Sequence, residues 1–344
     1  MARPKTTVAP LAIPSEPSAL DKLVGAAVVT SFISIWLLSV ASPFILVLSI
    51  KSGYTAVAAL IVAITIASYL PWSHGPVSRS VQHVLNRYHG CYYRSLTIVY
   101  ESDDDSGDDN AKNGAASDLP SPADPQTFFA VHPHGAFCIG WAFLFASPEL
   151  AHVRFCFAPA LFASPFFRLF SRCAGWPGSA ARPAMNSHLR DGESVALPPG
   201  GFEEATLTST DHDRVFIKRR TGFMKLCLRH GVPRVRPVYV FGERDLFWNV
   251  QGLWGPRLAL NRFGLPTILV WGRWFFPLLP RCDADIRVVI GRSLKLPPRI
   301  EKPTKEEVAL WHGKYMAELR RLFDDHKEDA LGAEAAKTAK LEIW

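Results

Sequence analysis

The chain has 344 residues, which is enough for a membrane segment and one large domain with a sizeable core. Its 27 prolines argue against a simple helical bundle, because proline removes a backbone donor and disrupts helix interiors. Residues 101–125 hold eight acidic residues and one lysine, so the rest of the chain carries a net charge of +14 against +7 overall. This positive charge outside residues 101–125 favours an anionic partner. Because the chain also has a predicted membrane segment, we expect lipid head groups or a phosphate-bearing ligand rather than nucleic acid.

Cysteine spacing gives no metal or disulfide signal. The six cysteines show no C-x-x-C pair, which disfavours a zinc site and provides no disulfide framework. We expect buried thiols in a reducing compartment. They are Cys91, Cys138, Cys156, Cys173, Cys227 and Cys282.

The N-terminal region predicts a membrane hairpin. Residues 1–20 are polar and proline-rich, so we expect disorder there. Two uncharged runs follow, at 23–50 and 54–72, with a short polar break between them. The hairpin over 21–72 is expected to be transmembrane or half-inserted, and Pro43 to kink or break its first helix. A cleaved signal peptide is excluded by the late start and by the second run, and Arg79, Arg87 and Arg94 favour a cytosolic location for the rest.

Beyond the hairpin, strands alternate with helices. This alternation predicts an α/β domain over 73–330 with a largely parallel central sheet. Residues 101–125 are expected to be an acidic, disordered loop insertion and 331–344 a C-terminal tail. The predicted strands cover 95–100, 127–131, 153–157, 194–197, 214–218, 234–241 and 285–290, and the predicted helices cover 165–173 and 223–230, with a last one opening at Thr304.

Two histidines, His132 and His134, stand at the end of a predicted strand in the sequence His-Pro-His-Gly, with Pro133 between them and Gly135 after them. Catalytic groups favour the carboxyl ends of strands in open α/β sheets, and a neutral imidazole accepts a proton near neutral pH. A structural role and a metal site remain as alternatives, although H-x-H supplies only two ligands where a catalytic zinc usually takes three.

Two further motifs carry polar groups. Gly200 and Gly201 follow a short strand and precede Glu203 and Glu204, so they can present N–H groups to an oxyanion while a carboxylate orients a histidine. A tight turn without a binding function is the alternative. A basic cluster, formed by Lys218, Arg219 and Arg220 and followed by Gly222 and Phe223 at a predicted helix start, suits a phosphate or a solvated edge.

Together these stretches resemble the type-2 diacylglycerol acyltransferase family, which includes monoacylglycerol and wax-alcohol acyltransferases. The likeness covers roughly residues 20–330 in one consistent order. It rests on the H-P-H-G signature at 132–135, P-G-G-x-x-E at 199–204, the R-x-G-F-like stretch from 220, P-V-Y-x-F-G-E at 237–243, the G-R…P stretch at 272–280 and the C-terminal helix at 315–327. This chain departs from the family pattern at three places. Residues 92–94 read Y-Y-R where the family often has Y-F-P, residues 291–293 read G-R-S in place of G-x-P, and the acidic insertion at 101–125 is extra.

The resemblance implies an acyl-CoA donor and a diacylglycerol-like acceptor, with acyl-CoA as a co-substrate and no cofactor. We expect direct transfer of the acyl group to diacylglycerol, without an acyl-enzyme. We expect His134 as general base, His132 in support and Glu204 as the acid that orients a histidine. Backbone N–H groups near Gly135 or Gly200 and Gly201 would meet the oxyanion, and the basic cluster would hold coenzyme A phosphates. The expected partners are acyl-CoA, a neutral-lipid acceptor and membrane lipid, and a homo-oligomer is compatible with them.

Other readings stay open at this point. Within the class, the acceptor is a monoacylglycerol or a fatty alcohol, the latter giving wax esters. Outside it, the chain is a histidine-metal lipid hydrolase or an inactive lipid-droplet hairpin protein. The expected location is the endoplasmic reticulum membrane, with the active domain facing the cytosol, or the surface of lipid droplets.

Overall fold

The protein is described by a computed structural model that covers residues 3–70, 78–103 and 119–344. These residues form two compact units. The described parts of Met1–Leu11, Tyr93–Leu144 and His188–Trp344 make up the sheet unit, and those of Ala12–Tyr92 and Phe145–Ser187 make up the hairpin unit.

The order of elements confirms the predicted α/β class. The helices are α1 Ala19–Lys51, α2 Thr55–Tyr69, α3 Arg79–Tyr88, α4 Ile139–Ala146, α5 Pro159–Ala163, α6 Pro165–Ala174, α7 Arg182–Arg190, α8 Gly201–Leu207, α9 Gly222–His230, α10 Trp254–Arg262, α11 Lys305–Leu331 and α12 Ala333–Thr338. The strands are β1 Thr6–Val8, β2 Ser95–Glu101, β3 Thr127–His132, β4 Arg154–Phe157, β5 Pro177–Ser179, β6 Val195–Leu197, β7 Asp213–Val215, β8 Arg234–Phe241, β9 Trp248–Asn249, β10 Val270–Trp271, β11 Asp285–Ile290, β12 Leu294–Lys295 and β13 Leu341–Ile343.

The core of the sheet unit is a mixed, mostly parallel sheet in the order β1-β2-β11-β8-β3-β6. The pairs β2–β11, β8–β3 and β3–β6 are parallel, whereas β1–β2, β11–β8 and β12–β8 are antiparallel. Strand β3 is buried along its whole length, as a central parallel strand should be. The long helix α11 packs on β8 and starts with the predicted cap at Thr304, whose side chain accepts from the N–H of Glu307.

Three neighbouring parallel strands end at the same edge of this sheet. Strand β3 ends at His132, β6 leads into Gly200, and β8 leads into Glu243. Because parallel neighbours share an edge for their carboxyl ends, segments that are distant in sequence meet there.

In the hairpin unit, α1 and α2 pack together and are joined by residues 52–54. Of the expected kink or break at Pro43, the break is wrong, because α1 is one helix of 33 residues that includes Pro43. Proline cannot donate to the carbonyl of Ser39, and the Ser42 hydroxyl donates to that oxygen instead, at 3.1 Å.

Helix α1 is long and apolar enough to cross a membrane, whereas α2 is shorter, with 15 residues. At 1.5 Å per residue α2 reaches about 22 Å, less than a hydrocarbon core of about 30 Å. Both helices expose large apolar side chains, among them Phe44, Leu48, Leu60 and Ile66.

Both chain termini depart from expectation. Within 1–20, which we expected to be disordered, β1 pairs with β2. The expected tail 331–344 is folded as well, since it contains α12 and β13, and β13 pairs in parallel with β7. Strand β7 is shorter than the strand predicted at 214–218, and the backbone of Trp344 then bonds to Val215 and Lys218.

The start of the acidic stretch is not a solvated loop. Glu101 ends β2, is fully buried and accepts bonds from Arg321, His326 and the Arg292 N–H. Asp103 pairs with two arginines of β8. Residues 104–118, which hold much of the predicted insertion, lie outside the described residues.

We predict that Glu101→Gln strongly destabilises the sheet unit. Burial alone would raise the pKa of Glu101, but its bonds with His326 and Arg321 lower it to about 2. Its stabilising charge is therefore complete above the pKa of about 4.3 of an unfolded glutamate, and is lost as the pH falls towards 2. Removing one partner of a buried pair costs about 3 kcal/mol, which thermal unfolding in detergent measures.

The matched control for this change is Glu334→Gln, which removes the exposed ion pair with Lys337. Exposed pairs of this kind contribute about 0.5 kcal/mol, so the unfolding temperature should hardly move. Equal effects of the two substitutions would contradict the role given to Glu101.

Candidate active site

The site is built around the carboxylate of Glu204, which lies on α8 and is fully buried. Its Oε1 accepts the backbone N–H of His134 at 2.8 Å, and its Oε2 accepts the N–H of Phe216 at 2.6 Å. The Nδ1 of His132 lies 3.1 Å from Oε1. Burial alone would raise the pKa of Glu204, but the neighbouring His132 and these hydrogen bonds lower it, so the group is a carboxylate.

His132 is engaged at both ring nitrogens. A carboxylate only accepts, so the ring donates from Nδ1 to Glu204. Its Nε2 lies 3.0 Å from the hydroxyl of Tyr315 on α11, and that hydroxyl also lies 3.5 Å from the carbonyl oxygen of Ala130. The ring is fully buried, and in this arrangement His132 links α8 to α11 and has no free lone pair for a substrate.

His134 is different, because its ring is half-buried and uses one nitrogen only. Its Nδ1 donates to the carbonyl of Gly135 at 2.8 Å, which fixes the lone pair on Nε2. No hydrogen bond joins Nε2 to the part of the chain that the structure describes. Burial lowers the pKa of His134, only partly offset by the Gly135 bond and the charge of Glu204, so the ring is neutral near pH 7. Glu204 therefore holds the backbone of His134, whereas it holds the ring of His132.

A second buried carboxylate, Glu243, fixes the turn after the histidines. Its two oxygens accept the N–H groups of Ile139 and Gly140 at 3.0 and 2.8 Å. A Cβ at Gly135, where φ is +60°, would lie 2.2 Å from Oε1 of Glu243. Glycine is therefore required at 135 on two grounds, conformation and space.

The remaining motif residues near the histidines shape the site. A Cβ at Gly200 would lie 2.2 Å from the Glu204 carboxylate, whereas a Cβ at Gly201, where φ is +59°, would make only ordinary contacts, at 3.9 Å with Glu203 and 4.0 Å with Arg220. Pro133 is buried and lines a small cavity with Asp213, Tyr239 and Arg244.

The basic cluster and the residues after it divide into two groups. Lys218, Arg219 and Gly222 are exposed, while Arg220 pairs with Glu203 of α8. Phe223 does not fit the ligand-binding role expected for it. It is buried on α9, and its ring packs against Phe128 and Tyr315, with centroids 5.5 and 5.1 Å away.

Sequence reasoning assigned no individual role to three groups. These are the Tyr315 hydroxyl, the Glu243 carboxylate and the backbone N–H of Phe216. The first two stand in stretches that resemble the acyltransferase family, which was an available signal. A backbone donor such as Phe216 carries no signal in its side chain. None of the six cysteines, all of which the structure describes, forms a disulfide, and Cys138, Cys173 and Cys282 are half-buried rather than buried.

Comparison with known proteins decides the family. The model of the family described as diacylglycerol acyltransferase matches residues 117–343, more than half of the chain and all of the motifs above. This chain belongs to the diacylglycerol acyltransferase family. The sequence resemblance is thereby confirmed.

Relatives in this family differ in the acceptor that their names state. Human acyl-CoA wax alcohol acyltransferase 2 is 32% identical over 57% of this chain and 64% of its own length. Human 2-acylglycerol O-acyltransferase 3 is 31% identical, with 60% and 66% covered, and Xenopus tropicalis diacylglycerol O-acyltransferase 2 is 33% identical, with 58% and 60% covered. The matched region thus spans less than two thirds of each relative.

A solved structure was also found. The crystal structure of the 1-acyl-sn-glycerophosphate acyltransferase from Thermotoga maritima covers 87% of this chain and 94% of its own. Its TM-score is 0.38 and its sequence identity to this chain is 15%.

We predict that Glu204→Gln lowers the turnover of acyl transfer by about 10- to 100-fold, since each lost bond to a charged group costs about 1.5–3 kcal/mol. Its amide nitrogen would face one of three donors that now meet an oxygen. The control is Glu193→Gln, which changes another histidine–carboxylate pair, with His188 at 2.8 Å. The rate of the control should stay close to that of the wild type, and full activity of Glu204→Gln would contradict the arrangement.

We predict a second effect at Glu243, in the pH profile. Burial raises the pKa of Glu243 to about 7, and only the ionised form accepts from both Ile139 and Gly140. Activity of the wild type should therefore rise as the pH increases through about 7. In Glu243→Gln, whose amide accepts only one of the two N–H groups at every pH, activity should stay near the low-pH level of the wild type, and the rise through about 7 should be absent. An unchanged profile would show that ionisation of Glu243 does not matter.

Proposed function

We propose that this protein is an acyl-CoA-dependent O-acyltransferase that esterifies a neutral-lipid hydroxyl, with diacylglycerol as acceptor and triacylglycerol as product. Membership of the family and relatives named for acyl transfer support the reaction type. The environment of His134 carries the mechanism, because it combines a fixed tautomer, a lowered pKa and an unoccupied Nε2 within the signature motif.

The chemistry follows from that lone pair. The acceptor hydroxyl loses its proton to Nε2 of His134 as its oxygen attacks the thioester carbonyl of acyl-CoA. The tetrahedral oxyanion then collapses, the carbon–sulfur bond breaks, and the coenzyme A thiolate takes the proton from His134. No acyl-enzyme forms in this scheme. His132 acts as a positioning residue that ties Glu204 to Tyr315.

Two further assignments complete the proposal. The N–H of His134 already serves Glu204, so the oxyanion would be met by N–H groups of Gly135 or of Gly200 and Gly201. Exposed Lys218 and Arg219 would bind the phosphates of coenzyme A, with Arg220 held beside them by Glu203.

We also propose that the hairpin formed by α1 and α2 holds the protein in the endoplasmic reticulum membrane. The apolar length of α1 and the exposed apolar side chains of both helices support insertion. The short α2 favours a half-inserted hairpin over one that crosses the bilayer twice. Arg79 and Arg87 follow the hairpin, which favours a cytosolic sheet unit.

The test is expression in a yeast strain that makes no storage lipid, with and without added fatty alcohol. We expect triacylglycerol to accumulate, and His134→Ala to reduce it at least about 100-fold through loss of the general base. His132→Ala should retain more activity, because it removes a positioning residue. The control is His83→Ala, which changes an exposed histidine of α3.

Each alternative outcome has a distinct meaning. Wax ester alone would assign a fatty alcohol as the acceptor. Neither product under either condition would overturn the acyltransferase proposal. Normal activity of His134→Ala with loss in His132→Ala would exchange the roles of the two histidines.

A further inference from the structure

The sheet unit exposes an aromatic surface outside the site. It lies in residues 246–282, which contain β9, α10 and β10. Trp274 is 91% exposed, Phe263 82% and Leu253 76%, fractions that exclude them from any core. Exposed apolar residues are ordinary when scattered, whereas a cluster of large ones marks an interaction surface. We define the aromatic surface by the exposed residues Trp248, Leu253, Phe263, Trp271, Trp274 and Phe275. Within it, Trp248 packs against Trp271 and Trp274 against Phe275, with ring centroids 6.2 and 5.8 Å apart.

A buried polar frame fixes the shape of this surface. The guanidinium of Arg257, a buried residue, donates to the carbonyls of Val250, Gly252 and Thr267 at 2.5, 3.2 and 2.9 Å. It thereby ties α10 to the segments that precede and follow it. The apolar side chains are thus presented by a hydrogen-bonded scaffold.

The same frame connects the aromatic surface to the site helix. Buried Asn249 donates to the carbonyl of Thr206 at 2.9 Å, and buried Asn261 donates to the hydroxyl of Thr206 at 2.7 Å. Thr206 lies on α8, two residues after Glu204. The surface is therefore fixed to the element that carries the central carboxylate.

The charge of the segment indicates the partner. Residues 246–282 contain four arginines and no aspartate or glutamate, and Asp283, which follows them directly, pairs with Arg281. The segment keeps a net positive charge, of which Arg262 is an exposed part. The guanidinium groups of Arg281 and Arg273 lie 4.6 and 4.9 Å from the ring centroids of Trp248 and Phe275. Tryptophan and arginine together suit the head-group level of a bilayer, and a net positive charge suits anionic lipid.

We propose that the aromatic surface docks on a phospholipid membrane that contains anionic lipid, with its aromatic rings at the head-group level. This contact is separate from the α1–α2 hairpin and is made by the sheet unit itself. Resting on the proposed function, it gives an acceptor dissolved in the membrane a route to the element that carries Glu204.

The first test detects lipid contact without reference to activity. The full chain carries a photoactivatable benzoylphenylalanine at Phe263 or Trp274 and is reconstituted in phosphatidylcholine vesicles with or without phosphatidylserine. The control position is Leu310, which is 57% exposed on α11, outside the aromatic surface. We expect lipid adducts at both test positions, several-fold above position 310 and stronger with phosphatidylserine. Adducts at the control level would overturn the proposal, and so would crosslinks to a second copy of the chain in place of lipid.

The second test measures the consequence for acyl transfer. With diacylglycerol in anionic vesicles, Phe263→Asp together with Trp274→Asp should raise the apparent KM about tenfold or more, since two apolar anchors are lost. The kcat should persist with acceptor in detergent micelles, and Leu310→Asp should change neither constant. An unchanged KM would overturn the proposal. If no acyl transfer occurs at all, the proposed function fails while the crosslinking result still decides the docking.

Discussion

The arrangement of the site depends on one buried carboxylate. Removing a charge from water costs several kcal/mol unless hydrogen bonds replace the lost solvation. Glu204 meets this requirement with the Nδ1–H of His132 and the backbone N–H groups of His134 and Phe216. These donors come from the end of β3 and from the segment after β7. The fold must therefore hold both segments against α8 for the carboxylate to remain ionised.

This constraint separates the two histidines, which look alike in sequence. His132 lies inside the protein, and its ring is occupied between Glu204 and Tyr315. His134 contributes its backbone to Glu204 and keeps its ring directed elsewhere, with Nδ1 fixed by its neighbour Gly135. The protein thus uses one histidine to organise the site and leaves the other available for proton transfer, the division of labour on which the proposed function rests.

Two glycines and the C-terminal strand serve the same arrangement. Gly135 and Gly200 leave room for the carboxylates of Glu243 and Glu204, because a Cβ at either position would overlap a carboxylate oxygen. Strand β13 pairs with β7, so the C-terminal residues help to hold the segment that presents the N–H of Phe216. Glycine is therefore required at 135 and 200 because a larger residue would not fit. Residues 331–344, which the sequence predicted to be a tail, help to support the site.

By itself the sequence determined the α/β class, the boundaries of its main strands and the family. Local patterns suffice for these. The residues at 234–241 predict a strand by themselves, and they form β8. The H-P-H-G and P-G-G-x-x-E motifs are likewise read from consecutive residues. It also placed His132 and Glu204 at strand ends that a parallel sheet would bring together. Only the tertiary structure decided which atoms meet. Tyr315 lies 183 positions from His132, and the fate of Glu101, Phe223 and residues 331–344 depends on partners equally remote in the chain. Hydrogen bonds and burial between such distant residues arise from packing, and periodicity along the chain carries no record of them.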